Sequence, residues 1–313
     1  MIIVTGADGF VGKYLVKQLM TEGRNVLAAC HSYKSSEYFK QQGIPYIKLD
    51  VTNEKDFELL PKADTVVHLA ALLRIDVSIY SPKDFILVNT LGTYNVLEYC
   101  RKMNAKCIYT MTHSDIHASK DVVITENTPR EYHSDVSALP FIISKIAGAD
   151  FIDVYDRDSK VHGIILRLSA IRGFGSRDTY YGGVFHQFIR KAINGEDIEI
   201  WGEHKTIRDL IYIKDVVSAI TKCIDTKTAH GLYNIGTGNG LTILDEAKSI
   251  IKAFCKGRKS NIIFCPEKKE IRTKDVIFDI SKAKKELDWE PLYTYNDAMV
   301  DMQYEMSTGL VEK

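Results

Sequence analysis

The sequence is short of several things, and each shortage excludes something. Its six cysteines (Cys30, Cys100, Cys107, Cys223, Cys255, Cys265) are scattered, with no C-x-x-C pair. That argues against a zinc site or a disulfide framework and fits free thiols in a reducing cytosol; no metal is expected. No apolar run is long enough to span a bilayer. The first strand begins at residue 2, which leaves no room for a signal peptide, so a cytoplasmic chain with no membrane partner is expected. Net charge is missing too: 41 basic residues balance 41 acidic ones, giving no long-range field to draw in nucleic acid. A phosphate-bearing ligand must then be held by local groups. Neither an internal repeat nor a low-complexity tract is present, and 313 residues suffice for one large core or two modest domains.

What is present starts at the amino end. Ile2, Ile3 and Val4 read as a buried parallel strand, Gly6, Gly9 and Gly12 follow at three-residue spacing, and Val11, Leu15 and Leu19 recur at helical intervals. Strand, glycine turn and helix in that order make an anion site. The turn lets the backbone approach a pyrophosphate, and the first free N–H groups of the helix point at it. A second strand is read at 25–30. Its tip is where dinucleotide folds often hold the adenosine ribose hydroxyls with an acid. Here the tip is Cys30, followed by His31, Ser32, Tyr33 and Lys34. An acid would repel a 2′-phosphate, whereas Lys34 and the hydroxyls can accept one, so NADP is favoured over NAD; the bland reading is a solvated loop.

Further strands are read at 46–51, ending in Asp50 and Val51, then at 64–71, 105–110 and 162–168. His68, inside the second of these apolar runs, reads as a satisfied core histidine. With helices between the strands, this rhythm predicts an α/β fold with a doubly wound parallel (Rossmann) sheet. The strand at 105–110 runs into Thr112, His113 and Ser114, at the sheet edge where ligands bind. Pro140 opens a helix on which Phe141, Lys145 and Ala149 share one face. Beyond residue 170 come loop signals, a helix at 184–194, a strand at 198–202, a helix N-capped by Asp215, a strand at 232–236, then short helices and one strand. Residues 1–169 with about 208–236 are read as the dinucleotide-binding domain. About 170–207 and 237–313 are read as a smaller, discontinuous C-terminal substrate lobe.

These stretches together resemble the extended short-chain dehydrogenase/reductase family, specifically its nucleotide-sugar epimerases, dehydratases and 4-ketoreductases. The resemblance runs nearly the full length, through Thr5-Gly-Ala-Asp-Gly-Phe-Val-Gly12, Leu49-Asp-Val51, Val67-His-Leu-Ala-Ala71, Asn89 to Leu97, Arg208-Asp209, Tyr233-Asn-Ile-Gly-Thr-Gly238 and Leu287-Asp-Trp-Glu-Pro291. It implies that Gly6, Gly9, Phe10, Val11 and Gly12 form the pyrophosphate turn, with His31, Ser32 and Lys34 at the adenosine ribose. It further implies Asp50 and Val51 at the adenine and Leu69, Ala70 and Ala71 beside the nicotinamide. Lys145 looks like the lysine of the family's YxxxK motif, which binds the nicotinamide ribose and stabilises a tyrosinate. Thr112 falls where the family bonds the reacting sugar oxygen, and Arg208 where it holds the substrate diphosphate, a task suited to a guanidinium fork. Arg74, His113 and Ser114 are candidates to reach the hexose. The role of Arg172 is open between the diphosphate and solvent. By resemblance the chain forms a homodimer through helices around 92–103 and 141–156, with Ile142, Ile143 and Ile146 apolar beyond what one inward face needs.

One departure outweighs the matches: the motif's tyrosine is Phe141, in Phe141-Ile-Ile-Ser-Lys145. A free phenol has a pKa near ~10, and a nearby ammonium lowers it, which is the lysine's purpose. Phenylalanine keeps the ring and loses the atom that exchanges the proton, a loss that typically costs ~10²- to 10⁴-fold in rate. Three readings follow: an engineered change in an otherwise active site, a natural variant whose acid is His113 or a water, or a relative that has lost catalysis and serves as a sensor or partner. Dehydratases of the family usually follow the threonine with an acidic pair, and His113 and Ser114 disfavour that chemistry. The expected activity is NADP-dependent reduction of a nucleotide-linked 4-keto-6-deoxy sugar, with an NAD-dependent 4-epimerase as the alternative.

Overall fold

The computed structural model describes residues 1–73, 78–116, 118–134, 136–159, 161–175, 183–269 and 274–308, with backbone alone at 33–36. The first half alternates strand and helix: β1 (Ile2–Thr5), α1 (Phe10–Thr21), β2 (Val26–Cys30), α2 (Tyr33–Gln41), β3 (Tyr46–Lys48) and β4 (Thr65–His68). After α3 (Pro82–Phe85) and a π-helical turn (Ile86–Leu91) come α4 (Gly92–Met103), β5 (Lys106–Thr112), β6 (Val123–Ile124), α5 (Leu139–Asp158) and β7 (Gly163–Leu168). The second half holds β8 (Ala170–Arg172), α6 (Val184–Asn194), β9 (Ile198–Trp201), β10 (Ile207–Tyr212), α7 (Ile213–Asp225) and β11 (Gly231–Ile235). It ends with β12 (Gly240–Thr242), α8 (Ile243–Phe254), β13 (Ile262–Cys265), β14 (Ile277–Phe278), α9 (Ser281–Leu287) and α10 (Tyr295–Thr308).

Seven strands form one parallel sheet in the order β11-β7-β5-β4-β1-β2-β3. Every residue of β1, β4 and β7 is buried, as strands covered on both faces must be. One face packs on Leu15 and Leu19 of α1 and Val216 and Ile220 of α7; the other packs on Val96 and Leu97 of α4 and Ala149 and Ile152 of α5. The chain order reverses beside β1, between β2 and β4, so the carboxyl ends of these strands open the crevice in which such sheets bind ligands.

Several expectations are corrected. The helix expected between the strands at 64–71 and 105–110 is preceded by a π-turn around Asn89. That turn lets the Asn89 amide bind the Leu72 backbone at both ends (2.8 and 3.0 Å) and Ser144 Oγ (2.9 Å). Asp215 does not cap α7, which starts at Ile213; its buried carboxylate instead accepts the N–H groups of Leu292 and Tyr293. Residues 208–212 sit in the small sheet β12-β10-β8, because β8 leaves β7 and takes β10 as its parallel partner. Among the described residues, the last part holds three strands after residue 237, and α8 and α10 span 12 and 14 residues. Of Ile142, Ile143 and Ile146 on α5, the first is buried and the last half-buried within the subunit, and Ile143 alone is exposed.

Candidate functional site

A cavity of about 720 Å³ lies at the carboxyl ends of the central strands. Its floor at one end is the glycine turn, with Gly6, Gly9, Phe10, Val11 and Gly12 all on the lining. Gly6 has φ +63°, and a Cβ there would stand 2.6 Å from the Ala70 nitrogen. At Gly12 a Cβ would stand 2.3 Å from the Gly6 carbonyl oxygen. Both positions are therefore closed to larger residues. Gly9 is the N-cap of α1 and offers no side-chain acceptor to the first turn. The start of a helix is where an anion is held by backbone N–H groups, and the turn fits a pyrophosphate.

His31, Ser32, Asp50 and Val51 line the cavity beyond the turn. Asp50 accepts the Thr52 N–H and hydroxyl (2.9 and 2.8 Å), and His31 Nε2 stands 3.7 Å from its other oxygen. Burial pushes the Asp50 carboxyl up, but the Thr52 bonds and the neighbouring His31 and Lys48 outweigh it and hold the pKa below the ordinary value. The Lys34 side chain lies outside the described residues, as does all of Arg74.

At the other end, Leu69, Ala70 and Ala71 after β4, Thr112 at the end of β5 and His113 after it, and Phe141 and Lys145 on α5 line the same cavity. Lys145 is 5% exposed, with Nζ 3.9 Å from the centre of the Tyr109 ring. The Tyr109 hydroxyl donates to the Lys145 carbonyl oxygen (3.1 Å). Burial pushes the Lys145 pKa down from the ordinary 10.5 to about 7. Phe141 stands one helical turn earlier, in an apolar cluster with Phe85, Ala138 and Ile142. It offers no proton.

Not every candidate faces the cavity. Ser114 is buried beneath it: Thr112 Oγ1 donates to Ser114 Oγ (3.1 Å) and accepts the Ser114 N–H (3.1 Å). Ser114 thus steadies Thr112 and is not on the lining. Arg208 borders a separate gap of about 10 Å³ that it shares with His113, because β10 belongs to the small sheet. Arg172 does not line the cavity and is half-buried; its Nε donates to Glu246 (2.6 Å) and its guanidinium covers the Phe185 ring at 4.8 Å. His113 Nδ1 donates to the Leu168 carbonyl (3.2 Å), which fixes the ring at the cavity edge.

His68 is a core residue with a defined tautomer. The Thr93 hydroxyl gives its proton to the Asn89 carbonyl (2.6 Å), so it accepts from His68 Nε2–H (3.0 Å). Nδ1 then accepts from the Thr5 hydroxyl (2.7 Å), whose oxygen takes the Ala70 N–H (3.3 Å). Burial pushes His68 down to about 3, so it stays neutral. The chain of bonds holds Ala70 over the glycine turn.

Sequence reasoning missed Asp8, Tyr80, Tyr109, Asn89 and His186. Asp8, Tyr80 and His186 line the cavity, and Tyr80 is the one tyrosine among the described residues that does. Asp8 was legible as an acid inside a glycine motif. Tyr80 lacks a lysine four residues on, and Tyr109 and Asn89 read as ordinary strand and helix positions.

The NAD dependent epimerase/dehydratase family pattern matches residues 2–236. The chain belongs to that family. A UDP-N-acetyl-alpha-D-glucosaminuronate decarboxylase of Bacillus cytotoxicus is 27% identical over 256 residues, covering 79% of this chain and 78% of that one. A dTDP-D-glucose 4,6-dehydratase of Dictyostelium discoideum is 27% identical over 268 residues, covering 80% of this chain and 61% of its own. In structure, a UDP-glucose 4-epimerase of Thermotoga maritima, solved with UDP-glucose, superposes with TM-score 0.83 over 99% of both chains at 24% identity. That likeness speaks to the fold, the doubly wound α/β architecture expected from sequence. Among the described residues no helix is long and apolar enough to cross a membrane.

Proposed function

We propose that the cavity takes a nicotinamide dinucleotide along its glycine-turn end and a nucleotide-diphosphate sugar at the other, for oxidation and reduction at sugar C4. The observation that carries this reading is one cavity bordered by the glycine turn, Thr112, Phe141 and Lys145 together. In this reading Gly6, Gly9 and Gly12 bind pyrophosphate, Asp50 and Val51 meet adenine, and Ala70 and Ala71 leave room for the nicotinamide. Lys145 holds the nicotinamide ribose, Thr112 orients the sugar oxygen, and Arg74 and His113 serve the substrate. The dinucleotide, when bound, supplies and recovers hydride; the protein supplies placement and proton transfer.

With phenylalanine at 141 the proton step lacks its group. Phe141→Tyr is expected to raise turnover by ~10²- to 10⁴-fold, measured with UDP- and dTDP-hexoses and NAD or NADPH. Mass spectrometry of ligands released from the purified protein names the nucleotide and sugar. We adopt the 4-epimerase reading, in which hydride returns to the same sugar and no dinucleotide is consumed. The 4-keto-6-deoxy-sugar reductase reading predicts net oxidation of NADPH and rests on Cys30 and Lys34. A chain without catalysis is favoured by Phe141 itself; it predicts bound ligands and no turnover even in Phe141→Tyr.

We also read the chain as a cytoplasmic homodimer. Its six cysteines are free, and Leu91, Tyr94, Ile143, Phe151 and Val154 form an exposed apolar face around α4 and α5 suited to an isologous partner. Light scattering of the purified chain at the mass of one subunit would refute the dimer.

A further inference from the structure

The tip of β2 lacks the acid that commonly holds the adenosine ribose, and on sequence grounds that vacancy favoured NADP. The structure brings an acid to the same place by another route. The residue after Gly6, Ala7, donates its backbone N–H to the carbonyl of Ala29 (3.2 Å), stitching the glycine turn to the last residues of β2. Asp8 follows directly in the turn, near enough for its charge to act on Cys30. It lines the same cavity as His31 and Ser32. Cys30 registers the neighbour: burial first, then the Asp8 charge, push its thiol up to about 11.

We infer that Asp8 supplies from the glycine turn the carboxylate that β2 lacks, and that it selects NAD over NADP. The inference rests on the reading that this cavity takes a nicotinamide dinucleotide. The chemistry is a choice between two substituents at one ribose carbon. A free 2′-hydroxyl can donate to the carboxylate, a charge-assisted bond of the stronger kind. A 2′-phosphate brings about two negative charges and only acceptor oxygens to the same carboxylate, at a partly buried site where screening is weak. The competing element is Lys34, at the start of α2.

The test is a binding measurement that needs no turnover, so Phe141 does not interfere. The full chain, stripped of copurified dinucleotide, is titrated with NADH and with NADPH by fluorescence and calorimetry. NADH is expected to bind ~10- to 100-fold more tightly, the range of one hydrogen bond to a charged group. In Asp8→Asn and Asp8→Ser, which keep a small polar side chain in the turn, NADH affinity falls and the preference narrows to a few-fold; circular dichroism checks that both stay folded. In Asp8→Arg the preference reverses. The inference is overturned if the natural chain binds NADPH as tightly as NADH, or if Asp8→Asn leaves the ratio where it was. A preference for NADPH that disappears in Lys34→Ala would overturn it in favour of the lysine. Each of these leaves the dinucleotide reading standing. If neither dinucleotide binds the folded chain, that reading falls and takes this inference with it.

Discussion

The two ends of β5 treat a lysine in opposite ways. At the amino end of β5, Lys106 Nζ donates to the carbonyls of Cys223 (2.8 Å), Ile224 (3.0 Å) and Thr226, closing the carboxyl terminus of α7. At the carboxyl end, Lys145 lies over the face of Tyr109 and borders an open cavity. Burial pushes both pKa values down. Only Lys106 has that cost offset by acceptors arranged around it, where the helix terminus adds its own negative field. One end of the sheet spends its charge on holding the fold together. The other keeps a charge that the fold alone does not need, which is the mark of a binding site.

The largest effect expected from breaking this contrast is at the glycine turn. Gly6→Ala must hold a left-handed backbone that costs an L-residue ~1–2 kcal/mol, and its Cβ meets the Ala70 nitrogen and Cα at 2.6 and 2.8 Å. Ala70 cannot retreat, because the Thr5–His68–Thr93 chain holds it. Dinucleotide affinity is expected to fall by ~100-fold or more, the equivalent of roughly 3 kcal/mol, as read by NADH fluorescence titration. Unchanged affinity would mean that the turn does not carry the pyrophosphate.

The next effect sharpens the contrast through pH. With its pKa lowered from 10.5 to about 7, Lys145 binds fewer protons folded than unfolded between those values. Stability from this group therefore rises with pH through that window. Lys106 shifts in the same direction, so the comparison must be made between variants. Lys145→Met removes a desolvated charge; at pH 7 it is expected to unfold at equal or higher urea than the natural chain, with a flatter rise from pH 7 to 9, while dinucleotide affinity drops. An equal slope in both proteins would contradict the burial argument. Lys106→Met is predicted to do the reverse. It orphans three carbonyls at the end of α7, at about 1–3 kcal/mol, and leaves NADH affinity untouched.

How much of this was legible follows the same division. The parallel sheet, the glycine turn and the face shared by Phe141, Lys145 and Ala149 are local patterns, and the sequence displays them as period and spacing. Asp215 misled because a capping residue and a buried acceptor for a distant loop look alike until Leu292 and Tyr293 are brought to it. Arg172 and Ser114 misled for a related reason: which way a polar side chain turns depends on Glu246 and Thr112, and neither pairing has a periodicity. Asp8 was the opposite case. Its residues were all in view, but its meaning came only when Ala7 was bonded to Ala29 and the acid was carried to the tip of β2.

The smallest effect probes the support beneath the site. Ser114 is 3% exposed and holds Thr112 through two bonds, one from its own N–H and one from the Thr112 hydroxyl. Ser114→Ala keeps the first bond and removes the acceptor of the second. A net cost of about 0.5–1.5 kcal/mol in stability is expected. The Thr112 hydroxyl proton, released from Ser114, is then freer to turn toward the cavity. In the Phe141→Tyr background the two roles separate: a supporting Ser114 predicts a change in kcat of a few-fold with KM for the sugar nearly constant. If Ser114 touched the hexose, KM would rise instead, and the buried position assigned to it here would be wrong.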